Sequence, residues 1–346
     1  MKLKFWTLDL TLAHQWAISG RAGSKLHQNV LVQLSDDDLV VGLGEAAPAS
    51  TYGESAASAA AFLKRVDPDK LSFADIPASM KSLQDMGPGE MAAKCALNVA
   101  LVDGAAKRAG QPVCDFLGLG FRENHHITSM SIGVDTPEVI RQKTIEAGQF
   151  PILKLKIGTP GDRQNLAALR EAAPTKLVRV DANEAWKTKE EALEMLDWLA
   201  EDGRIQFVEQ PMPHQTPAND FAWLKARSPL PLFGDESYHS ERDVAHCAEC
   251  FHGVNVKLVK TGGITTAHEA LVAARNSGLK TMIGCMVETS VLISAGAHLA
   301  DLADYLDLDG NLLITNDPYA GVTAENGILS FASASEKTGL RVRAKA

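Results

Sequence analysis

The chain has 346 residues, 45% of them hydrophobic and 22% charged, with a formal net charge of −9. That composition describes a folded globular protein of one large or two ordinary domains and excludes a disordered chain. No run approaches the ~20 consecutive apolar residues of a membrane helix, and no basic stripe offers a nucleic-acid surface, so neither membrane nor nucleic acid is an expected partner.

The first residues lack the apolar run and cleavage site of a signal peptide. Five cysteines, odd in number and sparse, fit a reducing compartment, and the cytoplasm is the expected location. His246, Cys247, Cys250 and His252 crowd four potential zinc ligands into seven residues. They read as a helix end before a strand, too tightly spaced to surround one tetrahedral ion, and zinc is set aside.

Residues 1–65 read as α+β, with strands at 3–11, 30–34 and 40–45 and a helix at 54–65. A long helix at 90–109 is stopped by Gly110 and Pro112. From about 127 short apolar or β-branched runs recur at 127–132, 152–157, 177–180, 205–208, 232–234, 254–258, 281–284 and 305–308. Helical patterns such as 188–200 and 265–276 lie between them. Eight strands alternating with helices predict a parallel sheet, closed as a (β/α)8 barrel; an open doubly wound sheet is the runner-up. Gly118-x-Gly120 does not make a dinucleotide fingerprint. A strand-like segment at 327–331 suggests that the tail packs back on the N-terminal part.

Barrel active sites lie at the C-terminal ends of the strands. Asp181, Glu209 and Asp235 end three consecutive runs, the third to the fifth. Converging carboxylates repel unless a hard cation joins them, and oxygen ligands suit Mg2+. Lys154 and Lys156, two apart, point to the same side of the second run, and burying both in a barrel wall is costly unless they act. Lys257 ends the sixth run, opposite the second, so a substrate carbon held between would meet one amine on each face. The cation and neighbouring charge are expected to lower lysine basicity enough for base catalysis. Lys260 competes for the role but should lie beyond the strand. Asp307 and Asp309, on the eighth run, lie opposite the cation. Together these ends want a zwitterion: its carboxylate at the metal, its ammonium at the aspartates.

The segments YGES (52–55), LKLKIG (153–158), VDANEAW (180–186), VEQPMP (208–213), DES (235–237), NVKLVKTGG (255–263), GCM (284–286) and DLDG (307–310) resemble the enolase superfamily, muconate-lactonizing (cycloisomerase) subgroup, and within it the dipeptide epimerases. The resemblance implies an α/β fold: a (β/α)7β TIM-type barrel at 126–310, an N-terminal α+β capping domain at 1–125, and a C-terminal segment at 311–346 completing the cap. It implies one Mg2+ per subunit on Asp181, Glu209 and Asp235. Lys156 and Lys257 would be the acid/base pair, with Lys154 neutralising the enolate oxygen or tuning Lys156. Asp307 and Asp309 would hold the α-ammonium of a dipeptide, and Asn183, Gln210 and Glu236 would support the metal ligands. Specificity in this family is set by cap loops near 16–28 and 50–55 and by barrel-end residues, here Met286 and Glu288. Arg21 or Lys25 could pair with an acidic side chain.

The expected reaction is inversion of the C-terminal α-carbon by two-base 1,1-proton transfer through an enediolate stabilised by Mg2+, with L-Ala-D/L-Glu or related Ala-X dipeptides as substrates. Cycloisomerisation, o-succinylbenzoate synthesis and N-acylamino acid racemisation use the same lysines, but their substrates lack the ammonium that Asp307 and Asp309 call for. The mandelate-racemase subgroup needs a histidine at the seventh strand; here His298 falls inside the following helix. A non-catalytic binding barrel would have no use for two opposed lysines. The sequence leaves the oligomeric state open, a homo-oligomer included.

Overall fold

A computed structural model describes residues 1–18 and 23–346. The N-terminal part is a three-stranded antiparallel sheet of β1 (Lys2–Trp16), β2 (Ser24–Ser35) and β3 (Val41–Ala46). The buried helix Met91–Arg108 packs on it. Gly44 permits this close approach: a Cβ there would lie 1.9 Å from the Ala96 carbonyl oxygen. Alanines at 92, 93, 96, 100 and 105 keep the helix face flat, and Val30, Val32 and Leu34 meet it as the core of the cap.

The second part is one sheet of eight parallel strands, β4 (Met130–Ile132), β5 (Ile152–Lys156), β6 (Leu177–Asp181), β7 (Ile205–Glu209), β8 (Leu232–Gly234), β9 (Gly253–Lys257), β10 (Lys280–Gly284) and β11 (Tyr305–Asp307). They pair in chain order, and the edge strands β4 and β11 meet through the bridge Thr128–Leu306. Parallel neighbours joined by helical crossovers make this the predicted barrel rather than an open doubly wound sheet. The first strand is shorter than the run at 127–132, because Ile127 pairs with Ile328 of the C-terminal segment instead.

Strand alternation sorts the barrel residues. Phe207, Phe233 and Met282 plug the lower interior, with the Phe207 and Phe233 rings stacked at 4.2 Å. Arg179 lies over the Phe207 and Tyr305 rings and donates to the Leu306 carbonyl at 2.5 Å. Above this layer the interior turns polar.

The C-terminal segment forms two small antiparallel pairs, β12 (Tyr319–Ala320) with β15 (Arg343–Ala344) and β13 (Thr323–Glu325) with β14 (Ile328–Ser330). It touches the cap through the Leu12–Ile314 bridge and through Leu340 N, which donates to Asp103 at 2.8 Å. Cap and barrel are also joined by Glu45. This fully buried carboxylate accepts from Thr289 N at 3.0 Å and Thr289 Oγ1 at 2.6 Å, at the start of the helix Ser290–Ala297, and from Asn29 at 2.7 Å.

Candidate active site

Asp181, Glu209 and Asp235 converge at the C-terminal ends of β6, β7 and just beyond β8. One oxygen from each lies within 4.8 Å of the others, and all three residues are buried. No other such group of metal-ligating side chains occurs among the described residues. His246, Cys247 and Cys250 share the helix Val244–Cys250, while His252 lies beyond it and accepts a hydrogen bond from Leu232 N.

Backbone and side chains pre-position the carboxylates. Asn183 N donates to Asp181 Oδ1 at 3.0 Å. Gln210 Oε1 accepts from Asp235 N at 2.9 Å, while its amide donates to Met212 O. Asn183, Glu184 and Gln210 all have φ between 36° and 65°, a left-handed conformation that non-glycine residues adopt at some cost. Asn255, two residues before Lys257 on the same face of β9, donates to Glu209 Oε1 at 2.6 Å. Neither Arg179 nor Asn255 was singled out from the sequence, although the period-two alternation places each beside a residue that was.

Four lysines surround this cluster. Lys156 Nζ lies 2.5 Å from Asp181 Oδ2, and Lys257 Nζ lies 2.7 Å from Asp235 Oδ2. Lys154 reaches Glu209 at 2.7 Å, Asp181 at 3.2 Å and Asp307 at 2.7 Å. Lys260, fully buried, pairs with the other Asp235 oxygen. Lys156 and Lys257 border a cavity of about 240 Å³, whereas Lys260 does not, which favours Lys257 as the reactive group of β9.

Burial pushes Glu209 up to about 7, with Asp181 adding to it, and pushes Glu236 up to about 8, with Asp235 adding. Burial would also raise Asp181 and Asp235, but the ammonium groups outweigh it and hold both below the usual carboxylate range. The expected fall in lysine basicity is reversed in the protein alone: burial would lower Lys257, yet Asp235 lifts it well above its ordinary value.

Asp307 and Asp309 both line the cavity, but they differ. Asp307 already has a cation in Lys154 and a hydroxyl donor in Ser129 at 2.7 Å. The premise that these aspartates lack a protein cation is therefore corrected for Asp307. Burial would raise it, and Lys154 brings it down to about 2. Among the described residues Asp309 has no ion-pair partner; it accepts from Ser131 N at 2.6 Å and from the Cys285 thiol at 3.6 Å, and burial together with Asp307 pushes it up to about 6. Gly310 lets this loop lie against the loop after β10, since a Cβ there would meet Met286 O at 2.3 Å.

Of the expected specificity residues, Met286 lines the cavity. Glu288 does not: it is buried and turned back to accept from Met286 N at 3.0 Å. Lys25 is exposed on β2 and also off the wall. Arg21 lies outside the described residues. The cap contributes Trp16, Ile18, His27, Thr51 and Tyr52, all within the two stretches, 16–28 and 50–55, expected to border the substrate. Asn183 and Glu236 line the cavity, while Gln210 lies beneath it.

Known proteins carry the same design. Residues 138–311 match the enolase C-terminal domain-like family, and residues 11–118 match the mandelate racemase/muconate lactonizing enzyme N-terminal domain. The chain is 65% identical over 347 residues to the L-Ala-D/L-amino acid epimerase of Pedosphaera parvula, covering 100% of both. Its fold is similar to the substrate-liganded L-Ala-D/L-Glu epimerase from Bacillus subtilis, with a TM-score of 0.91 and 26% identity over 100% of this chain and 99% of that one. It is equally similar to the dipeptide epimerase from Cytophaga hutchinsonii complexed with Mg and D-Ala-L-Val, with a TM-score of 0.91 and 26% identity over 99% and 95%. The chain belongs to the mandelate racemase/muconate lactonizing enzyme family of the enolase superfamily.

Proposed function

We propose that this protein is a Mg2+-dependent dipeptide epimerase that inverts the α-carbon of the C-terminal residue, with L-Ala-Xaa dipeptides as substrates. The observation that carries this reading is the cavity itself. Lys156 and Lys257 enter it from β5 and β9, with three strands between them, and Asp309 borders it from the loop after β11.

The residues present fit a divalent cation. Asp181, Glu209 and Asp235 offer three converging, buried carboxylate oxygens, the hard donor set a divalent cation takes. When bound, such an ion would supply the positive charge that stabilises a carboxylate as its α-proton leaves. The protein's side chains do the rest. Asp309 would take the substrate ammonium, fixing the N-terminal end and leaving the C-terminal α-carbon between the lysines. One lysine, as the free amine, removes the α-proton at Nζ; the other, as ammonium, returns a proton to the opposite face. No electrons or groups are exchanged, so the reaction is reversible.

Incubation of L-Ala-L-Xaa dipeptides with Mg2+ and separation of the diastereomers tests the reading. L-Ala-D-Xaa should accumulate toward equilibrium and should stop forming with EDTA. Turnover of N-acetyl amino acids in place of dipeptides would move the assignment to an N-acylamino acid racemase.

A further inference from the structure

The seam between the first and last barrel strands opens into a second cavity, of about 320 Å³. The edge strands pair at Thr128 and Leu306, below the site. At the level of the site the seam is crossed by hydrogen bonds to side chains, from Ser129 Oγ to Asp307 at 2.7 Å and from Ser131 N to Asp309 at 2.6 Å. Trp16, Ser131 and Leu313 line both cavities, so the two adjoin on the side of the first where Asp309 lies.

We infer that this seam cavity receives the side chain of the substrate's N-terminal residue, and that it takes apolar side chains well beyond alanine, of leucine or phenylalanine size. The inference rests on the reading of Asp309 as the ammonium partner. An ammonium on Asp309 places its own α-carbon within one bond of the charged group, hence at the Ser131 threshold. The side chain on that carbon would then face the seam, where the small Ser131 lines the cavity together with Trp16 and Leu313.

The chemistry of the walls selects the class. Met130, Ile132 and Phe150 form an apolar lining. The charged groups at the margin are already paired: Lys143 with Asp135 at 3.1 Å, and His14 with Glu146 at 2.6 Å. An acidic or basic side chain entering here would lose its water and meet no unpaired counter-charge among the described lining residues, which is costly, whereas an apolar one gains by burial.

Two positions on the cavity wall allow a test that spares the core. Ala13 is exposed and Ala324 half-buried, so Ala13→Trp and Ala324→Phe can fill the space from different sides without replacing a core residue. The measured quantity is the ratio of kcat/KM for L-Leu-L-Xaa to that for L-Ala-L-Xaa, with the C-terminal residue held constant. Wild-type enzyme should epimerise both dipeptides, and each filling variant should lower the ratio by about tenfold or more, the discrimination an apolar pocket gives for small changes in side-chain size. A ratio unchanged in the folded variants, or turnover of L-Ala-L-Xaa with none of L-Leu-L-Xaa, would overturn the inference and leave the epimerase reading standing. Absence of turnover for every dipeptide would instead remove the epimerase reading, and this inference with it.

Discussion

Lys154 Nζ lies 2.7 Å from Asp307 and 2.7 Å from Glu209, so one buried ammonium links the two ends of the site. It ties the candidate metal cluster to the aspartates on the far side of the barrel. The two aspartates therefore have unequal roles. Asp307 is held by Lys154, and Asp309 is the one proposed to take the substrate ammonium.

Asp309→Asn should raise KM for dipeptides by roughly tenfold to a hundredfold, the equivalent of about 1.5–3 kcal/mol for a lost hydrogen bond to a charged group. Asp307→Asn should act chiefly on kcat and on stability, because it strips a carboxylate from Lys154 rather than from the substrate. Steady-state kinetics on both variants decides this; equal KM effects would contradict the division of roles.

The elevated Asp309 carboxyl, at about 6, gives a signed pH dependence. Below pH ~6 it is protonated and loses the ammonium, so kcat/KM should fall about tenfold per pH unit. Stability moves the other way. The folded state retains a proton that the unfolded chain releases near pH 4, so the contribution of Asp309 to stability declines as pH rises through about 4 to 6. Asp309→Asn removes that cost, so it should melt at or above the wild-type temperature at pH 7, with the difference shrinking toward pH 4.

Asp235→Asn should weaken divalent-ion binding strongly, since a neutral amide replaces a charged ligand. Titration with Mn2+ followed by electron paramagnetic resonance reads this without any turnover. Lys25→Ala, on an exposed strand position, should leave both Mn2+ affinity and kcat/KM within about twofold of wild type.

Glu45→Ala should cost about 3 kcal/mol or more, because it leaves Thr289 N and Thr289 Oγ1 without that acceptor in a buried site and takes one of the two acceptors of Asn29, the other being Val287 O at 3.0 Å. Chemical denaturation measures the loss. A change under 1 kcal/mol would mean that cap and barrel are held together elsewhere.

Much of this architecture was legible because a parallel barrel writes itself as recurring buried runs, and several of these runs end on or beside a charged residue that the structure brings to the acidic cluster or the cavity. Asp181, Glu209, Lys156 and Lys257 were found that way. What escaped depends on contacts the chain does not announce. Glu45 meets Thr289 across 244 residues, and nothing local marks either one. Glu288 reads as a strand-end carboxylate, but the turn before the helix Ser290–Ala297 folds it back onto Met286 N. The pairing of Asp307 with Lys154 follows from their shared depth inside the barrel, which depends on strand stagger rather than on spacing. Lys25 was read as a loop residue because β2 begins earlier than its apolar stretch, at Ser24.

The most direct test follows the α-protons of an L-Ala-L-Xaa dipeptide by NMR in D2O, with wild-type enzyme, Lys156→Ala and Lys257→Ala, at saturating Mg2+. Wild-type enzyme should exchange the C-terminal α-proton, leave the alanyl α-proton untouched, and form the second diastereomer. Each variant should lose epimerisation, and any exchange it retains should be confined to one diastereomer, opposite for the two variants. Exchange of the same diastereomer by both variants, or none by the wild type, would contradict the placement of the reacting carbon between Lys156 and Lys257.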